Sequence, residues 1–171
     1  MNPLTLEITI KSAEVFKKHG VCFGKMQLYA TAFLVGGDRN SAECRTNVDE
    51  YRGSRPFWWI VASFRTHETE VRSNNVALVF EVKCRKSVGP DKCVGTTFVP
   101  IKQFFDHCVS QGFQYQDVAL GISSKLGKPR GVLYLSYVFT AHNFLDFSRF
   151  YVPSAPPLFH ALDSVQEDRD D

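Results

Sequence analysis

The stretch "LTLEITIK", Leu4–Lys11, alternates without a break: Leu4, Leu6, Ile8 and Ile10 fall on one face, and Thr5, Glu7, Thr9 and Lys11 on the other. A period of two belongs to a strand with one face buried, because successive side chains leave the pleat on opposite sides. The same reading extends along the chain. "KMQLYATAFLV", "SAECRTNV", "PFWWIVASF", "NVALVFEV", "CVGTTFVPI", "DVALGIS" and "GVLYLSYVF" read as further strands, separated by turn-rich segments such as "GGDRNS", "DEYRGSRP", "SVGPDK" and "SKLGKPRG". Eight short strands at this spacing predict an all-β antiparallel sandwich. One helix is predicted over "PIKQFFDHCV", where Pro100 opens it and Ile101, Phe104, Phe105 and Cys108 recur at helical spacing. "RPFWWIVASF" is apolar on both faces, so Trp58 and Trp59 point oppositely. One belongs to the core, and the other lies on an outer face that the later segment "NFLDFSRFY" or a partner covers.

The length of 171 residues and a hydrophobic content of 44% suit one domain with a sizeable core. No run of about 18 apolar residues marks a membrane span, and "MNPLTLEITI" does not read as a signal peptide. The five cysteines, Cys22, Cys44, Cys84, Cys93 and Cys108, form no CxxC pair. They predict free thiols and a cytosolic setting rather than a disulfide framework. Cys93, at a strand start, reads as a small core residue.

The formal charge of +2 conceals an asymmetry, since residues 1–139 carry +6 and residues 140–171 carry −4. A basic body suits an anionic partner, and equally a solvated surface. The organisation expected is a domain over 1–140 and a C-terminal extension over 141–171, whose Pro-rich, acidic end reads as flexible. That acidic end is expected to compete with anionic ligands for the basic body.

Catalytic constellations are not found. Gly121, Gly127 and Gly131 make no phosphate-binding loop, no nucleophile elbow or HExxH occurs, and His107 and Cys108 point to different faces of the predicted helix. A zinc site from His19, Cys22, Cys84 and Cys93 has no recognised spacing. The chain is therefore expected to be no enzyme and to need no cofactor or metal.

"LEITIKSAEVF", "FGKMQLYATAFL", "SRPFWW", "VALVFEV", "VGTTFVPI" and "GKPRGVLYLSYVF", in that order, resemble a C2 domain over about residues 3–140. The resemblance is to small plant C2 proteins of the cold-regulated or BONZAI-associated type. It implies an eight-stranded antiparallel C2 β-sandwich of permuted, type II-like topology, with one short helix between late strands. It also implies that loops near Phe16–Lys25, Val48–Pro56 and Cys84–Lys92 meet at one tip. Calcium-binding members hold aspartates there, because Ca²⁺ takes about six to eight oxygen ligands. In this chain the matching positions are Gln27, Cys84, Lys86 and Lys92, with Asp91 one residue out of place.

Positive charge is expected to stand in for the ion. Lys17, Lys18, His19 and Lys25 of the first loop join Lys83, Arg85, Lys86 and Lys92 near the third, while Arg52 and Arg55 are offset by Asp49 and Glu50. Phe16, Phe23 and Tyr51 are candidates for an apolar wedge, although Phe16 and Phe23 also suit packing beneath the loops. The resemblance thus implies calcium-independent, peripheral binding to an anionic phospholipid surface at the plasma membrane. Protein partners, copine-type proteins among them, are implied in stress or defence signalling, with no role for nucleic acid. The other reading is a protein–protein adaptor without direct lipid binding.

Overall fold

The computed structural model describes residues 3–16, 25–37 and 41–141. The elements follow in the order β1 (Pro3–Val15), β2 (Leu28–Gly36), β3 (Cys44–Arg45), β4 (Phe57–His67), α1 (Glu68–Arg72), β5 (Val76–Cys84), β6 (Lys92–Pro100), α2 (Ile101–Gln111), β7 (Gln116–Ser123) and β8 (Pro129–Ala141). All neighbouring strands are antiparallel, in the order β3-β2-β5-β6-β7-β8-β1-β4. Two four-stranded layers, β3-β2-β5-β6 and β7-β8-β1-β4, are joined by a single ladder pair, Thr96↔Ser123. The last strand lies beside the first, from Val15↔Gly131 to Leu4↔Ala141, as the permuted arrangement requires.

The alternation of β1 does what its period demands: Leu4, Leu6, Ile8 and Ile10 are buried in the core. A bulge between Ile10 and Ser12 then shifts the register against both β4 and β8. Beyond it the buried set moves from even to odd positions, to Ala13 and Val15, because one inserted residue reverses the faces of everything that follows. On β4 the same irregularity sets Trp59 at a φ of +55°. Trp58 points inward and donates its indole N–H to the Leu28 carbonyl at 3.1 Å, while Trp59 stays 54% exposed.

The end opposite the loops described below is closed by α2. Its Ile101, Phe104, Phe105 and Cys108 are buried, as their spacing predicts. Phe104 stacks on Tyr137 with centroids 4.0 Å apart, and Phe105 meets Phe139 edge-on. Pro100 is the N-cap, and Gly112 ends the helix at a φ of +82°, a conformation that costs glycine little. Burial pushes the Cys108 thiol up to about 11, and His107 faces outward onto Gln116, so this pair makes no nucleophile and base. Among the described residues, no helix is long and apolar enough to cross a membrane.

Three sequence expectations are corrected. Helix α1 was not expected; its five residues are too few to show a period, yet Val71 is buried and Arg72 pairs with Glu68. Cys93 is exposed rather than core. A bulge opposite Val82 and Lys83 inserts one residue in β6, which turns Val94 inward and Cys93 out. The expectation of five free thiols also fails, because Cys84 is disulfide-bonded, while Cys44, Cys93 and Cys108 are free.

Candidate functional site

Strands β1, β3, β5 and β7 all run toward one end of the sandwich, so the connections 46–56, 85–91 and 124–128 gather there with Phe16 and residues 25–27, the described ends of the connection between β1 and β2. Backbone hydrogen bonds tie them together. Val15 N–H donates to Ser54, Phe16 to Arg130, Asp49 to Leu28 and Arg85 to Gln27, each at 2.8–2.9 Å. The Arg85 bond joins two connections and the other three fix a connection to a neighbouring strand, which gives the loops a defined geometry.

Asp49 organises the second connection. Its carboxylate accepts backbone N–H bonds from Tyr51 at 2.9 Å, Arg52 at 3.0 Å and Phe57 at 2.8 Å, and pairs with the Arg52 guanidinium at 3.2 Å. Burial alone would raise its pKa, but these donors outweigh burial and hold it at about 2. Charge balance was the role expected from sequence; the residue is instead a buried anchor, 3% exposed. The local spacing carries a faint signal of this, since an Asp followed within a few residues by turn formers often caps its own loop.

Arg85 spans three connections. Its guanidinium donates to Gln27 Oε1 from Nε at 3.1 Å and from Nη2 at 2.7 Å, and Nη2 also reaches Glu50 Oε1 at 2.7 Å. Arg85→Lys keeps the charge but loses the planar fork. It should lower stability by at most about 1 kcal/mol, because the group is partly solvated. Amide hydrogen exchange should nevertheless speed up at residues 48–54 and 85–91, and unchanged exchange there would remove the clamp assignment. Asp91 is engaged as well, accepting from the Tyr29 hydroxyl at 2.6 Å and from Lys86 N–H at 3.1 Å. The Tyr29 bond, then the Lys86 N–H, lowers its pKa.

Of the four positions expected to match a calcium cage, Gln27 is turned to Arg85, Cys84 is disulfide-bonded, and Lys86 and Lys92 are exposed. Among the described residues, no three His, Cys, Asp or Glu side chains come close enough to hold a metal ion.

Of the predicted lipid-binding residues, Lys25 sits over the Tyr51 ring at 6.0 Å, and Tyr51 is 78% exposed. Lys83 lies on β5, paired with Glu81 at 3.1 Å. Arg85 is the clamp just described. Lys17, Lys18, His19, Cys22 and Phe23 lie outside the described residues. Phe16 is exposed.

Sequence reasoning missed two apolar residues and a whole connection. Val88, at the crest of 85–91, and Leu126, in 124–128, are each 85% exposed, and Lys125 and Lys128 flank Leu126. "SKLGKPRG" reads locally as a turn; only the strand order brings it beside the other three.

Comparison with known proteins fits this geometry. The family model described as "C2 domain" matches residues 4–115. The chain is 31% identical over 135 residues to a protein SRC2 homolog of Arabidopsis thaliana, a match covering 79% of this chain and 40% of that relative's length. A C2 domain of plant Extended Synaptotagmin 1 superposes with a TM-score of 0.63 at 15% identity, covering 81% of this chain and 95% of that one. A C2 domain-containing protein from a putative elicitor-responsive gene gives 0.57 at 18% identity, covering 88% and 92%. At such identities the two structures speak for the fold alone.

Proposed function

The chain belongs to the C2-domain family, and from that premise we propose that it is a non-enzymatic module that docks by its loop end on anionic phospholipid membranes without calcium. One observation carries this reading. Tyr51, Val88 and Leu126 stand 78–85% exposed at the end of the sandwich that also carries the exposed Lys25, Lys86, Lys92, Lys125 and Lys128. Exposed apolar side chains accompanied by ammonium groups suit an interface where tails accept the first and headgroups the second. Gln27, Cys84, Lys86 and Lys92 at the expected cage positions, and no cluster of three possible metal ligands among the described residues, support independence from calcium. A site at the inner face of the plasma membrane, copine-type partners, and a role in plant stress or defence signalling form part of the proposal. They draw on the resemblance to small plant C2 proteins and on the kinship with the Arabidopsis relative.

Sedimentation with vesicles of graded phosphatidylserine content tests the reading. Binding should rise with anionic content, fall steeply with salt because the Debye length shrinks to about 3 Å near 1 M, and persist in chelator. Calcium at millimolar concentration should leave the melting temperature where magnesium leaves it. A calcium-specific rise would show that ligands gather at the tip after all.

The adaptor reading rests on a separate observation. Edge strand β4 presents Phe57 and Trp59, stacked 5.9 Å apart, with Val61 beyond them, and Arg52 and Lys11 lie over the two rings. Such a face fits a protein partner. Failure to pellet with any anionic vesicle would leave this reading in possession.

A further inference from the structure

The two sheets part company beside the tip. β5 pairs with β6, and β7 with β8, over most of their lengths, yet β6 and β7 share only Thr96↔Ser123. Ser123 ends β7, and from that pair toward the loop end a groove of about 630 Å³ opens between β6 and the 124–128 connection. Its volume lies in the range of small-molecule sites.

The chemistry of the walls is one-sided. Lys83, Lys92, Lys125, Lys128 and Arg130 line the groove, against Glu81 and Asp91. Both acids are committed, Glu81 to Lys83 and Asp91 to the Tyr29 hydroxyl and Lys86 N–H. Lys92, Lys125, Lys128 and Arg130 have no ion-pair partner among the described residues. Arg130 carries a second mark: its Nη1 is shielded from solvent and has no hydrogen-bond acceptor among the described residues. A sheltered guanidinium nitrogen without an acceptor is unfavourable, and an anion entering the groove supplies one. The backbone contributes room. A Cβ on Gly95 would stand 3.3 Å from both Arg130 Cβ and the Ser123 carbonyl, so glycine lets the floor run close beneath the arginine stem.

We propose that this groove binds a multiply phosphorylated polyol, of the inositol phosphate class, with Arg130 gripping one phosphate in the fork geometry and Lys92, Lys125 and Lys128 neutralising the others. Four unpaired cations around one small groove exceed what a singly charged headgroup can satisfy, and a guanidinium matches a phosphate better than it matches a point charge. The same chemistry is offered by a soluble inositol phosphate and by a phosphoinositide headgroup. The groove abuts the connections that carry Val88 and Leu126, so a lipid-borne headgroup reaches it while the tip is docked. In that lipid-borne form the inference rests on the membrane reading above; in its soluble form it does not.

Calorimetric titration of the full chain with inositol 1,4,5-trisphosphate, without vesicles, is the primary test. One molecule should bind per chain, inorganic phosphate should bind far more weakly, and Arg130→Gln should weaken the trisphosphate about tenfold or more. Because Nη1 has no partner to lose, that variant should keep its melting temperature. Lys125→Gln, in an exposed loop, gives an independent loss of affinity, and Lys86→Glu at the tip should change the soluble titration little. Absence of trisphosphate binding, or binding indifferent to both Arg130→Gln and Lys125→Gln, overturns the proposal. Vesicles holding phosphatidylinositol bisphosphate, matched in charge to phosphatidylserine vesicles, identify the source. A preference that Arg130→Gln abolishes assigns the groove to the lipid headgroup, and a soluble interaction without that preference assigns it to the free polyol. Trisphosphate binding by a chain that ignores every vesicle would sink the membrane reading and leave the groove standing.

Discussion

Asp49→Ala should destabilise the folded domain by about 3 kcal/mol and release the 46–56 connection. The carboxylate accepts from three backbone N–H groups and pairs with Arg52, all with its own side chain buried. An unmet buried donor costs about 1–3 kcal/mol, and the loop recovers part of this by admitting water. The pH dependence follows from the depressed pKa, about 2 in the fold against an ordinary 3.8. A group lowered in this way stabilises fully above its unfolded pKa and loses its contribution as pH falls through the folded one. The window therefore runs from about pH 4 down to about pH 2, and the contribution is about 2 kcal/mol. Urea unfolding at steps between pH 5 and pH 2 checks this. Asp49→Asn should flatten the curve in that window, since the amide does not titrate. A wild-type midpoint in Asp49→Ala would mean that the three N–H groups find other acceptors.

Lys86→Glu combined with Lys92→Glu should reduce affinity for phosphatidylserine vesicles by on the order of a hundredfold at low salt. Each lysine near an anionic surface contributes about 1 kcal/mol, and each reversal adds repulsion of similar size. The full sum of about 4 kcal/mol is cut by screening over a Debye length of about 10 Å at 0.1 M. Both side chains are exposed and outside any ion pair among the described residues, so the fold should be unaffected. Val88→Asp probes the apolar half of the same contact. Withdrawing an 85% exposed valine from the membrane forfeits about 1.5 kcal/mol or more, and this loss should persist in high salt where the lysine effect fades. Unaltered vesicle binding by the double variant would move the contact away from 85–92 and favour the adaptor.

The two kinds of residue in these predictions differ in how they announce themselves. Lys86 and Lys92 are visible as charges in a turn, whatever the fold. Asp49 is not: as one acid beside Glu50 it reads as solvated charge, and although its carboxylate is met by the nearby Tyr51, Arg52 and Phe57, the connection is pinned to the sheet by the Asp49 N–H bond to the Leu28 carbonyl of β2. Arg85 likewise reads as a free cation, and becomes a clamp only when Gln27 and Glu50 are brought to it.

Period-two alternation in segments such as Leu4–Ile10, and helical spacing in Ile101–Cys108, determined the eight strands, the late helix and the inward faces, because side-chain direction is a local property of the backbone. Bulges lay beyond the sequence, and with them the exposure of Cys93 and the choice of Trp58 over Trp59 for the core, since an inserted residue is recognised only against its partner strand. The fourth connection with Leu126, and the groove beneath Arg130, were decided by tertiary structure alone. The groove lies where β6 and β7, edges of two separate layers, share one pair at the end of β7 and the 124–128 connection takes over, a fact written in the packing of the two layers and in no single stretch of the chain.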